Sequence, residues 1–364
     1  PFTLSPLDVA AGDLNGDGIA DLVVSDDGSE GDSEVSLFFG RVDRTFLGPL
    51  DEEVGSFPGA LIVADLNGDG RLDIVATGVR NFTTYEGLER QTPLIQIYKN
   101  VSKPGKLRFK NITKRSGLNF LNGDDTALSA ATGGRFPQFI DNVMMGGGPL
   151  VINPLLSAGA QIDIDNDGRQ DIVVIDRQFL SRNPNTNEEY TVWVFRSKGD
   201  GRFQMIDPAT HGLSHTSRDI AAGDLNGDGR TDLVTVNGSG GGQTVDDNNY
   251  VWLNQIKNQN NWIDLEIDAK SKRNPLGLGA RVTILKAGTD KIVGYDEMRT
   301  DFAYRSRRDA ILHFGLRKLD CVDVRVAGLG REFEIPGLRA NRVQVLEQRG
   351  KRGPQKGCRG VPFE

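Results

Sequence analysis

A nine-residue pattern, D-x-[DN]-x-D-G-x-x-D, occurs four times in this chain, starting at Asp13, Asp65, Asp163 and Asp224. A small-residue stretch precedes each copy, as in Val9-Ala10-Ala11-Gly12 and Ile220-Ala221-Ala222-Gly223. A β-branched or apolar run follows, as in Leu22-Val23-Val24 and Ile172-Val173-Val174-Ile175. The pattern therefore sits in a tight turn between two strands. Three copies continue into another strand, a turn and a phenylalanine: Phe46, Phe109 and Phe203. Each unit predicts a four-stranded antiparallel sheet, and copies recurring at about 50 residues pack most economically as blades around an axis. The expected fold is all-β: a β-propeller of such blades with a small C-terminal β-sandwich-like domain.

The copies are spaced by 52, 98 and 61 residues. The wide middle gap has room for a fifth blade that lost its loop, beside the four clear ones. It can equally be an insertion, since residues 119–156 are rich in glycine and proline and carry no second-half blade signature. The boundaries read as a propeller over 1–258, a second β-domain over 259–347 and a basic, glycine-rich tail over 348–364. Trp262 to Ile267 and Val322 to Val326 alternate apolar and polar residues, as strands of that second domain should.

Positions one, three, five and nine of the motif carry oxygen-bearing side chains. They can converge only if the chain curls tightly, which the glycine at position six permits. So many carboxylates in one turn repel unless a cation joins them, and Ca²⁺ accepts six to eight oxygen ligands in flexible geometry. The expected ligands are Asp13, Asn15, Asp17 and Asp21; Asp65, Asn67, Asp69 and Asp73; Asp163, Asp165, Asp167 and Asp171; Asp224, Asn226, Asp228 and Asp232. The carbonyls of Ile19, Arg71, Arg169 and Arg230 at position seven should add one oxygen each. About four Ca²⁺ ions are thereby expected. An EF-hand is excluded because its glutamate at position twelve is replaced by Val24, Ala76, Val174 and Thr235. Asx-rich turns that need no metal are the alternative. The aspartate at position nine argues against them, since a plain turn has no evident use for it.

The net charge of −7 hides two chemistries. Residues up to Asn261 hold 22 Lys+Arg against 36 Asp+Glu, and the remainder holds 21 against 14. The acidic half argues against nucleic acid as a partner, and the basic half lacks the aromatic interleaving of single-strand binders. No apolar run of about 18 residues is present, so no membrane-spanning helix is expected. The first residues, Pro1-Phe2-Thr3-Leu4, show no basic stretch followed by an apolar segment, and the chain reads as mature or truncated. Cys321 and Cys358 can form one disulfide in an oxidising compartment or stay two unrelated thiols. Four N-x-[ST] sequons, at Asn81, Asn100, Asn111 and Asn237, are permissive for N-glycosylation.

The repeats resemble the FG-GAP or VCBS repeats of integrin α-subunit propellers and their secreted relatives, over about residues 8–255. The segments Asn261-Trp262-Ile263-Asp264-Leu265, Gly277-Leu278-Gly279-Ala280-Arg281-Val282 and Leu312-His313-Phe314-Gly315-Leu316 resemble the UnbV/ASPIC domain, which follows such repeats in the cartilage acidic protein family. Where that family often has a Trp-Pro-Ser-Gly-like turn, this chain has Ala327-Gly328-Leu329-Gly330. The resemblance implies a secreted or cell-surface protein and commonly a seven-bladed ring. Four blades leave such a ring to be completed by a further copy or a second chain.

A hydrolase needs a nucleophile, a base and an orienting group, and the only histidines are His211, His215 and His313. His211 and His215 flank Gly212 in an expected surface loop, and His313 lies in a strand and reads as structural. The basic run Arg305, Arg307, Arg308 is expected on a solvated surface, with an acidic partner such as a sulfated glycan as the alternative. Arg349-Gly350-Lys351-Arg352 is similar to a processing site within a flexible tail. The expectation is therefore a calcium-binding adhesion or ligand-binding module for an extracellular protein or glycan, and not an enzyme. A structural subunit of an extracellular assembly or filament, and a calcium-dependent polysaccharide-processing enzyme, are the alternatives.

Overall fold

The computed structural model describes residues 6–26, 34–53, 58–78, 84–85, 88–89, 95–103, 107–118, 143–144, 149–150, 156–176, 192–206, 208–213, 219–236, 248–299, 301–303, 306–307, 310–330, 332–347 and 358. The first blade is the meander β1 (Pro6–Gly12), β2 (Asp21–Asp26), β3 (Glu34–Gly40) and β4 (Phe46–Glu53). The second is β5 (Pro58–Ala64), β6 (Asp73–Gly78), β9 (Ile95–Asn100) and β10 (Phe109–Asn111), with the hairpin β7 (Thr84–Tyr85) and β8 (Leu88–Glu89) between its second and third strands. A separate hairpin, β11 (Val143–Met144) and β12 (Pro149–Leu150), precedes the third blade. That blade is β13 (Leu156–Ile162), β14 (Asp171–Asp176), β15 (Val192–Gly199) and β16 (Arg202–Met205). In the fourth, β17 (Asp219–Gly223), β18 (Asp232–Val236) and β19 (Tyr250–Trp252) make three strands among the described residues, one fewer than expected.

Period-two alternation decides how the blades stack. On β14, Ile172 and Val174 face the second blade and pack with Ile62, Val75, Ile95, Ile97, Trp193 and Phe195. The intervening Val173 and Ile175 face the fourth blade, with Ile220 and Leu233. The first strands β1, β5, β13 and β17 lie side by side in that order, and their small residues let them approach. A Cβ at Gly159 would stand 2.9 Å from Ile62 Cδ1. Because β5 and β13 are direct neighbours sharing one core, no fifth blade stands between the second and third units. The middle gap is an insertion, of which β11 and β12 are the described part.

The C-terminal part is a two-layer β-sandwich. One sheet pairs β20 (Asn261–Asp268) antiparallel with β25 (Ile311–Arg317) and parallel with β28 (Val343–Glu347). The other runs β22 (Ile292–Glu297), β21 (Arg281–Lys286), β26 (Cys321–Ala327), β27 (Phe333–Arg339). Val282, Ile284, Leu312, Phe314, Val322, Val324 and Val326 fill the space between. The hairpin β23 (Asp301–Ala303) and β24 (Ser306–Arg307) leaves the sandwich, and the backbone of β23 lies against β1, β5, β13 and β17. The second domain thus reaches the line where the four inner strands meet. Arg307 sits on β24, whose backbone lies beside β17; Arg305 and Arg308 of the basic run, and the side chain of Arg307, fall outside the described residues. No helix among the described residues is long and apolar enough to cross a membrane.

Trp193 is fully buried between the second and third blades. Trp193→Ala should cost about 3–5 kcal/mol of unfolding free energy, because the cavity cannot close without moving two sheets. Urea unfolding of both proteins measures it.

Candidate metal centre

Each motif turn is built by two left-handed residues, at positions four and six. These are Gly16 and Gly18 (φ 78° and 88°), Gly68 and Gly70 (76° and 81°), Asn166 and Gly168 (56° and 76°), and Gly227 and Gly229 (74° and 77°). Asparagine tolerates this region far better than most side-chain-bearing residues, which is why the third loop can carry Asn166. The curl aims successive backbone N–H groups at the position-one carboxylate. Asp13 accepts from Gly16, Asp17 and Gly18 (2.8, 3.1 and 2.8 Å), and Asp65 and Asp224 repeat the three bonds. Asp163 accepts from Asp167 and Gly168.

The position-nine carboxylate is used just as regularly. One oxygen accepts the N–H of position two: Leu14 to Asp21, Leu66 to Asp73, Ile164 to Asp171 and Leu225 to Asp232, at 2.9–3.1 Å. The other accepts an N–H from the end of the third strand or just beyond: Gly40, Asn100, Ser197 and Asn254, at 2.7–3.0 Å. A turn of this blade does use that aspartate, without any ion, and the argument from its presence to a metal does not hold. What points to a metal lies further inside. Asp163, Asp165 and Asp171 each present a ligand atom within 4.8 Å of the others, and all three are buried. Asp165 Oδ1 and Asp69 Oδ1 are buried with no hydrogen-bond partner. A cation satisfies such oxygens, and nothing else nearby does.

Burial, chiefly, pushes Asp163 and Asp171 up to about 7; for Asp163 the Asp171 charge adds to it. Asp73 is likewise raised to about 7, and Asp21 and Asp65 to about 6, again mainly by burial. Cationic side chains meet the outer carboxylates. In loops two to four the position-seven arginine pairs with position five: Arg71 with Asp69, Arg169 with Asp167, Arg230 with Asp228. Its Nε donates to Asn100 O, Ser197 O or Asn254 O. Arg196 pairs with Asp165. The position-three asparagine does not aim freely inward: Asn15 and Asn226 accept the N–H of Asp17 and Asp228 through Oδ1, and Asn67 donates to Asp73.

The sandwich lies directly on these loops. At loop one, Arg281 Nη1 is 2.5 Å from Asp13 Oδ2, and Asp13 N–H donates to the buried Glu297 carboxylate. At loop two, Ile292 lies 3.3 Å from where a Cβ of Gly70 would be. At loop three, Arg317 N–H donates to Asn166 O (3.1 Å), and Arg317 Nε donates to Asp167 O. At loop four, Trp262 packs onto Gly229 so closely that a Cβ there would overlap the indole. Arg299 donates to Ala11 O (3.1 Å) and Val63 O (2.8 Å), joining the ends of β1 and β5. His313 lies in the β25 strand, as expected, but its partners are not local. Nδ1 bonds Asp264 (2.6 Å) and Nε2 bonds Asn166 Oδ1 (2.7 Å), while Asn166 Nδ2 donates to Gly229 O.

Asn100 is not a glycosylation site in this fold. Its side chain is completely buried and donates to Leu14 O and Leu72 O, tying loop two to loop one; Asn254 does the same between loops four and three. Asn111 is exposed, and Asn81 and Asn237 lie outside the described residues. Cys321 and Cys358 are bonded, which fastens the described residue of the tail to β26. His211 closes a helical turn, Pro208–His211, where a loop was expected, and accepts Leu213 N–H; His215 lies outside the described residues, as does the Arg349–Arg352 segment.

Two outcomes follow from this geometry. Between about pH 4 and 7 the folded, ion-free carboxylates hold protons that the unfolded chain has released, so these groups favour folding at low pH and that advantage is lost as pH rises through 7. Thermal melts in chelator should show this part of the stability falling from pH 5.5 to pH 8; a rise would refute the crowding of Asp163, Asp171 and Asp73. A Cβ at Gly315 would lie 2.0 Å from Asp163 Oδ2 and 2.5 Å from Asn166 Cα. Gly315→Ala should therefore lift the sandwich from loop three, costing about 1–3 kcal/mol of unfolding free energy measured in urea.

Known families match in the same places. An FG-GAP-like repeat matches residues 13–76 and 163–235, an FG-GAP repeat matches 218–253, and ASPIC and UnbV matches 270–353. A search of curated proteins found no match. The chain is thus a run of FG-GAP repeats, built as propeller blades, followed by an ASPIC and UnbV domain.

Proposed function

We propose that this chain is an extracellular ligand-binding module whose motif loops are stiffened by Ca²⁺. The observation that carries the calcium reading is the third loop, where three buried aspartates converge and Asp165 Oδ1 has no partner. A set of oxygen donors with no sulfur or nitrogen suits a hard cation. Asp163, Asp165, Asp167 and Asp171, with the Arg169 carbonyl, would hold the ion there. The bound ion supplies charge that lets crowded carboxylates stay ionised at neutral pH.

The sandwich governs where a partner can bind. It contacts all four motif loops and buries the carboxylates of the third, so an ion there is structural, while residues 16–18 of loop one and 225–227 of loop four stay exposed. The β6–β9, β14–β15 and β18–β19 connections span 16, 15 and 13 residues, longer than the eight-residue motif turns, while β2–β3 spans seven. Loops that vary in length on a rigid scaffold are where binding function concentrates. A non-enzymatic role is supported by His313, whose two ring nitrogens are both engaged by Asp264 and Asn166 and offer no base to a substrate.

Asp167→Ala provides the test. Extracellular-type sites bind calcium with dissociation constants of about 10⁻⁴ to 10⁻³ M, so roughly 10 mM Ca²⁺ over a 10⁻⁴ M site adds about 2.7 kcal/mol to stability. Wild type should melt higher in calcium than in chelator, and the mutant should lack the third site's share. Their difference should shrink in chelator, where losing the carboxylate relieves repulsion from Asp165 and gives up the pair with Arg169. Neither protein should cleave glycans. An equally stable mutant that has lost a measurable glycan-cleaving activity overturns the proposal.

A further inference from the structure

We infer that in the first loop the guanidinium of Arg281, from the sandwich, takes the position that a calcium ion takes in the other three, so that the chain binds three ions across its four motifs. This rests on the calcium reading and sharpens it. A carboxylate has about four acceptor positions on its two oxygens. On Asp13 all are used: Gly16 and Asp17 donate to Oδ1, and Gly18 and Arg281 donate to Oδ2. Asp65 and Asp224 receive the three turn bonds alone, and Asp163 receives two. The position-one carboxylate is thus open to a cation in loops two, three and four and filled in loop one.

The motif itself departs at the same place. Loops two to four carry arginine at position seven, held outward by the strand carbonyls, where it meets only position five. Loop one has Ile19 there and no arginine of its own. Arg281 arrives instead from a residue 268 positions away, against the flat face that Gly18 leaves open, 3.3 Å from where its Cβ would be. Asp13 is buried and the Arg281 side chain is 25% exposed, so the pair is a charge-assisted bond partly shielded from water, and Glu297 of the same domain accepts the Asp13 N–H. An ion in loop one would have to break the contact by which the sandwich holds the first blade.

Native mass spectrometry of the full chain, at a calcium concentration that saturates loops two to four, counts the ions. Wild type should carry three and Arg281→Ala four. Asp13→Asn keeps one turn acceptor oxygen and replaces the other by an amide nitrogen that cannot accept from Gly18 N–H; it should still carry three, whereas Asp65→Asn should carry two. A wild type with four ions, or an Asp13→Asn protein that loses one, overturns the arginine substitution while leaving the calcium reading intact. No bound calcium in wild type overturns both. Should Arg281→Ala fail to fold by circular dichroism, the two asparagine variants decide the question; should it fold and still carry three, the inference fails.

Discussion

A buried aspartate at the last position of each motif holds the blades together. It accepts one N–H from its own turn and one from the end of the third strand, at Asp21, Asp73, Asp171 and Asp232 alike. Burying an ionised carboxylate is unfavourable unless donors or a cation compensate it, and two backbone N–H groups offset only part of the cost. Burial accordingly raises Asp73 and Asp171 to about 7. The same contacts that lock the turn hold the carboxylate where its charge demands compensation.

The four loops do not meet that demand in the same way. The third is the most enclosed, with Asp163, Asp165, Asp167 and Asp171 all buried beneath Gly315 and Arg317. The first receives an arginine from the sandwich, and the second and fourth share Asn100 and Asn254 links with their neighbours. A covalently tethered domain can therefore do part of what ions do: it neutralises carboxylate charge and pins the loops to one another. That division buries the third loop and leaves parts of the first and fourth exposed.

Much of the architecture was legible in the chain because its causes are local. The apolar run Ile172 to Ile175 marked the strand, and the glycine at position six marked the curl. Other expectations went astray where local pattern was silent. Asn100 reads as a sequon, yet its amide is consumed by carbonyls of two loops, 86 and 28 residues away. Position four passed unnoticed because glycine and asparagine share left-handed geometry and not chemistry. The use of position nine was invisible too, since its second donor comes from a strand that the motif does not contain.

From sequence alone follow the blades, the turns between them, and the clustering of carboxylates that calls for a cation. Each arises from hydrogen bonds or repulsion within nine residues, where chain connectivity enforces proximity. Tertiary structure decided that the second domain rests on the loops, that β23 reaches the inner strands, and that Arg281, His313 and Arg299 reach loop carboxylates, asparagines and strand carbonyls 147 to 288 residues distant. Those contacts depend on how two independently patterned cores are docked, and hydrophobic periodicity specifies a buried face without naming the surface on which the finished domain will rest.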